Sequence, residues 1–179
     1  LTLLLQTNSL TIKISLFFAF LIILYPLTKR FFVAPQFILG ITFGSGSIIA
    51  YSLESNIFSI SLAILYSGII AWIISFDTYY ALEDKKDDEQ IGVNSTAILW
   101  GNNSIIYSKM LHIFFYICLL AIGLINSFSY LFYILFFVLI YLFIYQAKII
   151  KEKKYIEAFK INNWIGIASV IIFAIEIIY

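Results

Sequence analysis

The chain has 179 residues, 63% of them hydrophobic and 12% charged, with a formal net charge of +1. With a mean hydropathy of +1.00, this composition excludes a water-soluble domain, because 179 residues cannot hide so much apolar surface in one core; it describes a polytopic membrane protein. A single cysteine and a single histidine exclude a disulfide framework and a structural zinc site, and no basic groove with interleaved aromatics points to nucleic acid.

A spanning helix needs roughly 20 apolar residues. Punctuation by charge, Pro and Asn predicts an all-α bundle with spans at about 10–28, 33–53, 57–76, 104–125, 128–147 and 161–179. Leu1 to Leu5 is too short to span and reads as the tail of an earlier helix. The chain opens on Leu1 and its one methionine is Met110, so residues 1–179 are expected to be one N-terminally truncated membrane domain.

The first span closes on Tyr25-Pro-Leu-Thr-Lys29-Arg30. Tyr25 and Lys29, four residues apart, share a helix face. A lysine there offers a point charge to a phosphate, and a tyrosine hydroxyl can donate to an oxygen. Taken alone, Lys29-Arg30 reads as a cytoplasmic anchor, and beside a magnesium site it becomes a diphosphate grip. Pro26 and Pro35 bracket this basic segment and are expected to set the turn. In the second span Gly40 and Gly44 form a GxxxG pair that lets another helix approach closely.

The third span runs into Asp77-Thr-Tyr-Tyr-Ala-Leu-Glu-Asp84-Lys-Lys-Asp87-Asp88-Glu-Gln-Ile-Gly92, which holds six of the ten acidic residues. On a helix of 3.6 residues per turn, positions 77, 84 and 88 fall within roughly 40° of one another, with Tyr80 and Ala81 on the same face. Asp87 and Glu83 fall at its sides; Lys85 and Lys86 point away. Clustered carboxylates repel unless a cation sits between them, and hard oxygen donors without His or Cys suit Mg²⁺. The competing reading is a solvated, helix-terminating loop whose acids balance Lys85 and Lys86.

Alternating the spans puts Lys29, Arg30, Lys85, Lys86, Lys109, Lys148, Lys151, Lys153, Lys154 and Lys160 on one side and Lys13 alone on the other. By the positive-inside rule the crowded side is cytoplasmic, or the matrix side in an organelle, and it carries the acidic cluster. Within the spans, Cys118 is expected to be a core residue. His112 is either a packing residue or a proton shuttle, and Glu176 is expected to reach the far interface.

The acidic segment, followed by Ile91-Gly92-Val-Asn-Ser95-Thr96-Ala97-Ile-Leu-Trp-Gly101, resembles the second aspartate-rich motif of the UbiA-type intramembrane prenyltransferases, in their 4-hydroxybenzoate polyprenyltransferase branch. Tyr25-Pro-Leu-Thr-Lys29-Arg30, with Pro35-Gln36 and Leu39-Gly40-Ile-Thr-Phe43-Gly44, resembles the YxxxK segment and following helix of that branch. The resemblance implies an all-helical enzyme of nine spans in a bacterial inner membrane, or alternatively a mitochondrial inner membrane. It implies two aspartate motifs that bind Mg²⁺ and a polyprenyl diphosphate, whose prenyl group passes to an aromatic acid in ubiquinone biosynthesis. Residue by residue it assigns metal and diphosphate binding to Asp77, Asp84 and Asp88, with Asp87 at the margin, and diphosphate contact and catalysis to Tyr25 and Lys29. The family's other motif, an Asn-Asp pair followed by further aspartates and an Arg-rich tail, does not occur in these residues. The chain alone is therefore expected to be inactive, and a separate N-terminal half is an expected partner beside the substrates and the lipid bilayer. Two other readings remain: a fragment of a cation-coupled transporter or channel with the acids as an ion gate, and a split-gene product without function.

Overall fold

The computed structural model describes residues 6–178, and the described elements are helices and a single 3₁₀ turn, with no strand among them. The helix tail expected at residues 1–5 lies outside the described residues. Six helices are long and apolar enough to cross a membrane, in agreement with the six predicted runs.

Helix α1 (Ser9–Phe31) starts on Asn8, whose side chain accepts from the Thr11 N–H at 2.8 Å, as an N-cap does. Asn8 also donates to Ser52 O at 2.6 Å, and the Thr11 and Ser52 hydroxyls meet at 2.8 Å, so the start of α1 is tied to the end of α2 (Pro35–Glu54). Lys29 and Arg30 lie in the last turn of α1, where cations offset the helix dipole. Pro26 sits inside α1, and Pro35 occupies the first turn of α2, where its missing N–H costs nothing. The turn between these helices is thus confined to residues 32–34, and the basic pair belongs to the helix.

Helix α3 (Ile60–Ile91) runs 32 residues from its Ser59 N-cap to Gly92, which ends it in the left-handed conformation at φ 71°, where glycine carries no Cβ penalty. At 1.5 Å per residue this is about 48 Å, against a hydrocarbon core of about 30 Å. The acidic segment expected to follow the 57–76 span is therefore part of the same helix. After it come α4 (Thr96–Trp100), a 3₁₀ turn at Gly101–Asn103, α5 (Ser104–Ile125), α6 (Tyr130–Lys151) and α7 (Tyr155–Ile178).

Helix α3 is the central post, packed by α2, α5 and α7. The GxxxG pair makes one contact: a Cβ on Gly40 would lie 3.0 Å from Ile70, and one on Gly44 would lie 3.1 Å from Tyr66. The close neighbour that this pair is expected to admit is α3 of the same chain. On the other side Gly68 lies against Cys118, which is the core residue expected, and Trp72 stacks on Phe115 with centroids 4.9 Å apart. An aromatic cluster of Phe115, Tyr116, Phe132 and Phe136 joins α5 to α6. Glu176 lies near the end of α7, and its two carboxylate oxygens accept from Ser129 N–H and Ser129 Oγ, each at 2.7 Å, so α7 caps the open N-terminus of α6.

Candidate functional site

The acidic face predicted on α3 is built as a helix, and a local polar cavity of about 90 Å³ forms along it. Lys29, Gln36, Asp77, Tyr80, Ala81, Asp84, Asp88, Asn94 and Ser95 line it, so α1, α2, α3 and the α3–α4 loop each contribute a wall. The walls are held by specific bonds. Asn94 N–H donates to Lys29 O at 3.0 Å, which fixes the loop to the end of α1. Gln36, 2% exposed, accepts from Thr96 N–H at 2.9 Å, and the Thr78 and Thr96 hydroxyls meet at 2.6 Å. The start of α4 is thereby clamped between α2 and α3.

Asp77, Asp84 and Asp88 share the cavity with Lys29. Lys29 lies within electrostatic reach of Asp77 and Asp88, yet among the described residues no ion pair within 4.0 Å joins it to either. A lysine near carboxylates but not in contact with them leaves space for a bridging anion or cation. Asp84 and Asp87 both act on Asp88 electrostatically, but Asp87 is exposed and does not line the cavity. Tyr25 lies within electrostatic reach of Asp77, outside the lining. Lys86 is exposed and also off the lining.

Gln36, Asn94 and Ser95 were not singled out as site residues from sequence. Gln36 adds an amide beside Asp77, and its one sequence signal is its place just after Pro35 at the same membrane end. Among the described residues no three Asp, Glu, His or Cys side chains converge tightly enough to hold a metal ion by themselves. The donor chemistry nevertheless fits magnesium: every candidate ligand is oxygen, and Mg²⁺ binds through one or two carboxylates while keeping waters and taking phosphate oxygens.

Farther down the bundle lie two larger hollows with almost wholly apolar walls. One of about 500 Å³ lies between α1, α2 and α3, and one of about 560 Å³ lies between α3, α5 and α7. At the outer end of the first stands Lys13.

Fold and site together define a helical membrane protein with an acid-rich polar cavity at one end and apolar hollows beyond it. The model of the UbiA prenyltransferase family matches residues 1–170, and the chain belongs to that family. It is 38% identical over 174 residues to a 4-hydroxybenzoate octaprenyltransferase of Francisella tularensis subsp. mediasiatica, covering 96% of this chain and 61% of the relative. A 4-hydroxybenzoate octaprenyltransferase of Nitrosospira multiformis is 35% identical over 162 residues, covering 89% of this chain and 56% of the relative. The chain thus spans less than two thirds of the length of these relatives. Its fold matches the apo structure of a UbiA homolog from Aeropyrum pernix K1 with a TM-score of 0.81 at 18% identity, over 97% of this chain and 66% of the other.

Proposed function

We propose that the chain supplies the diphosphate-binding end of an enzyme that transfers a polyprenyl group from its diphosphate to an aromatic acid, 4-hydroxybenzoate by analogy with the relatives, in ubiquinone biosynthesis. The observation that carries this reading is the cavity in which Lys29, without a direct ion pair, faces Asp77, Asp84 and Asp88. Family membership supports the reaction class, and the apolar hollows along α3 suit an isoprenoid tail.

Asp77, Asp84 and Asp88 would hold Mg²⁺, with Asp87 at the margin. Magnesium, when bound, supplies positive charge that makes diphosphate a better leaving group. Lys29 binds the diphosphate oxygens and meets the negative charge that grows on them as the C–O bond to the prenyl carbon breaks. Tyr25 and Gln36 orient the diphosphate and the Asp77 carboxylate. The electron pair leaves with the diphosphate, and the allylic cation is kept from water by apolar walls. A ring carbon beside the acceptor hydroxyl forms the new C–C bond, and the ring proton is lost to solvent.

The cavity is assigned to the cytoplasmic side of a bacterial inner membrane, because ten of the eleven basic residues alternate to the same end. A diphosphate carries about three negative charges, and the one carboxylate cluster here would supply only part of the ligands for the metal ions that offset them. A second acidic cluster, on a separate polypeptide such as an N-terminal half, would complete the site, and the 179 residues alone are not expected to turn over.

The test is prenyl transfer to 4-hydroxybenzoate in lipid with magnesium, with the chain joined to such a partner. Asp84→Asn and Asp88→Asn should each lower the rate by about 100-fold, and Lys86→Ala should leave it near wild type. Wild-type rates in both aspartate variants would remove the acidic face from the chemistry, and sustained turnover by the chain alone would overturn the need for a second cluster.

A further inference from the structure

The opposite face of α3 from the acidic cavity carries a second polar feature, sealed inside the bundle. Ser75 and Tyr79 on α3, Ser108 and His112 on α5, and Gln146 on α6 are each 0% exposed. Ser75 Oγ, Tyr79 OH, Ser108 Oγ, both ring nitrogens of His112 and Gln146 Oε1 have no hydrogen-bond partner among protein groups. Apart from Ser15 Oγ, these are all the buried side-chain atoms of that kind among the described residues.

Helix register brings them together. Helices α3 and α5 pack antiparallel, with Gly68 against Cys118 at one level and Trp72 stacked on Phe115 at the next. Continued by equal steps along both helices, that register sets Ser75 level with His112, and Tyr79 with Ser108. Positions 105, 108 and 112 fall within about 60° on α5, so all three face α3. Gln146 comes in from α6: its Nε2 donates to Ala158 O at 2.8 Å, and Ala158 packs in the same cluster as Tyr79, Ile149 and Ile150.

Near-misses show what the groups lack. The His112 imidazole lies close to the Gln146 side chain, and Tyr79 OH close to Ser75, yet neither pair meets full hydrogen-bond geometry. The spacing has a cause: α5 and α6 meet through long side chains, with His112 edge-on to Phe143 at 5.1 Å and Tyr116 edge-on to Phe136 at 5.6 Å. Buried polar atoms left unpaired in an apolar bundle are strongly unfavourable, and a cluster of donors and acceptors of this kind is satisfied by water.

We infer that ordered water bridges His112 and Gln146 to Ser108, Ser75 and Tyr79, making a hydrated polar seam that fastens α6 to α3 and α5 inside the membrane. A water donates twice and accepts twice, which matches this set. Neutral imidazole offers one donor and one acceptor, Gln146 Oε1 accepts, and the three hydroxyls do either. Tyr79 is the neighbour of Tyr80, which lines the acidic cavity, so the seam anchors the stretch of α3 that carries Asp77 and Asp84. The inference uses no assumption about the chemistry at that cavity.

His112 is the single histidine of the chain, so ¹⁵N-histidine labelling gives one imidazole to observe. In the 179-residue chain reconstituted in lipid, magnetisation transfer from water should reach both ring nitrogens. Ser108→Ala should weaken that transfer and Gln146→Leu should remove most of it, while Ser15→Ala leaves it unchanged. If Gln146→Leu does not fold, the wild type and Ser108→Ala still decide the matter. Absence of water transfer in the wild type, or a through-bond coupling from the imidazole directly to Gln146, would overturn the seam.

Discussion

Replacing Gln36 separates what holds the site together from what it binds. Gln36 is 2% exposed and its side-chain oxygen accepts from the Thr96 backbone N–H at 2.9 Å, with its amide beside Asp77. In Gln36→Leu the Thr96 N–H stays buried without a partner, since Thr96 is 0% exposed, at a cost of about 1–3 kcal/mol. For a chain of this size each kcal/mol moves Tm by about 2–4 °C, so a cost near 2 kcal/mol lowers Tm by about 4–8 °C. Gln36→Glu keeps an oxygen for the same N–H and should retain most of the wild-type Tm. It also adds a carboxylate facing Asp77, and should weaken diphosphate binding where Gln36→Leu does so less. Thermal unfolding in detergent, read by tryptophan fluorescence, measures the first effect. A Gln36→Leu variant within about 1–2 °C of wild type would show that the clamp on α4 carries no energy. A Gln36→Glu variant that falls as far as the Leu variant would show that the amide, not its oxygen, carries it.

Gly68→Ala puts a Cβ 2.8 Å from Cys118 Cβ and should cost about 1–3 kcal/mol by overpacking; adding Cys118→Gly should recover most of it, and an unchanged Tm in Gly68→Ala would refute the close approach of α3 and α5. For orientation, a Gln90→Cys variant in a Cys118→Ser background should resist an impermeant thiol reagent in intact cells and react after permeabilisation, whereas ready labelling of intact cells would put the acidic end outside.

Composition and spacing were sufficient for much of this protein. Six apolar runs must become helices because a backbone in lipid has to satisfy its own hydrogen bonds, and the structure has those six. The face shared by Asp77, Asp84 and Asp88 follows from the 3.6-residue period alone, and the three do line one cavity. Periodicity orders residues within one helix but carries no information about which helices meet. That is why Gln36 was not singled out: it reaches the cavity through a bond to Thr96, 60 positions away. The same holds for Glu176, whose partner Ser129 lies 47 positions earlier, and for Gly40 and Gly44, whose small surfaces signal a close neighbour without naming α3. His112 shows the limit most plainly. Its sequence context is an apolar helix, and only the packing of α6 against α5 brings Phe143 and Gln146 beside it, because hydrogen-bonding need is local to a side chain while its satisfaction depends on what the tertiary structure brings within reach.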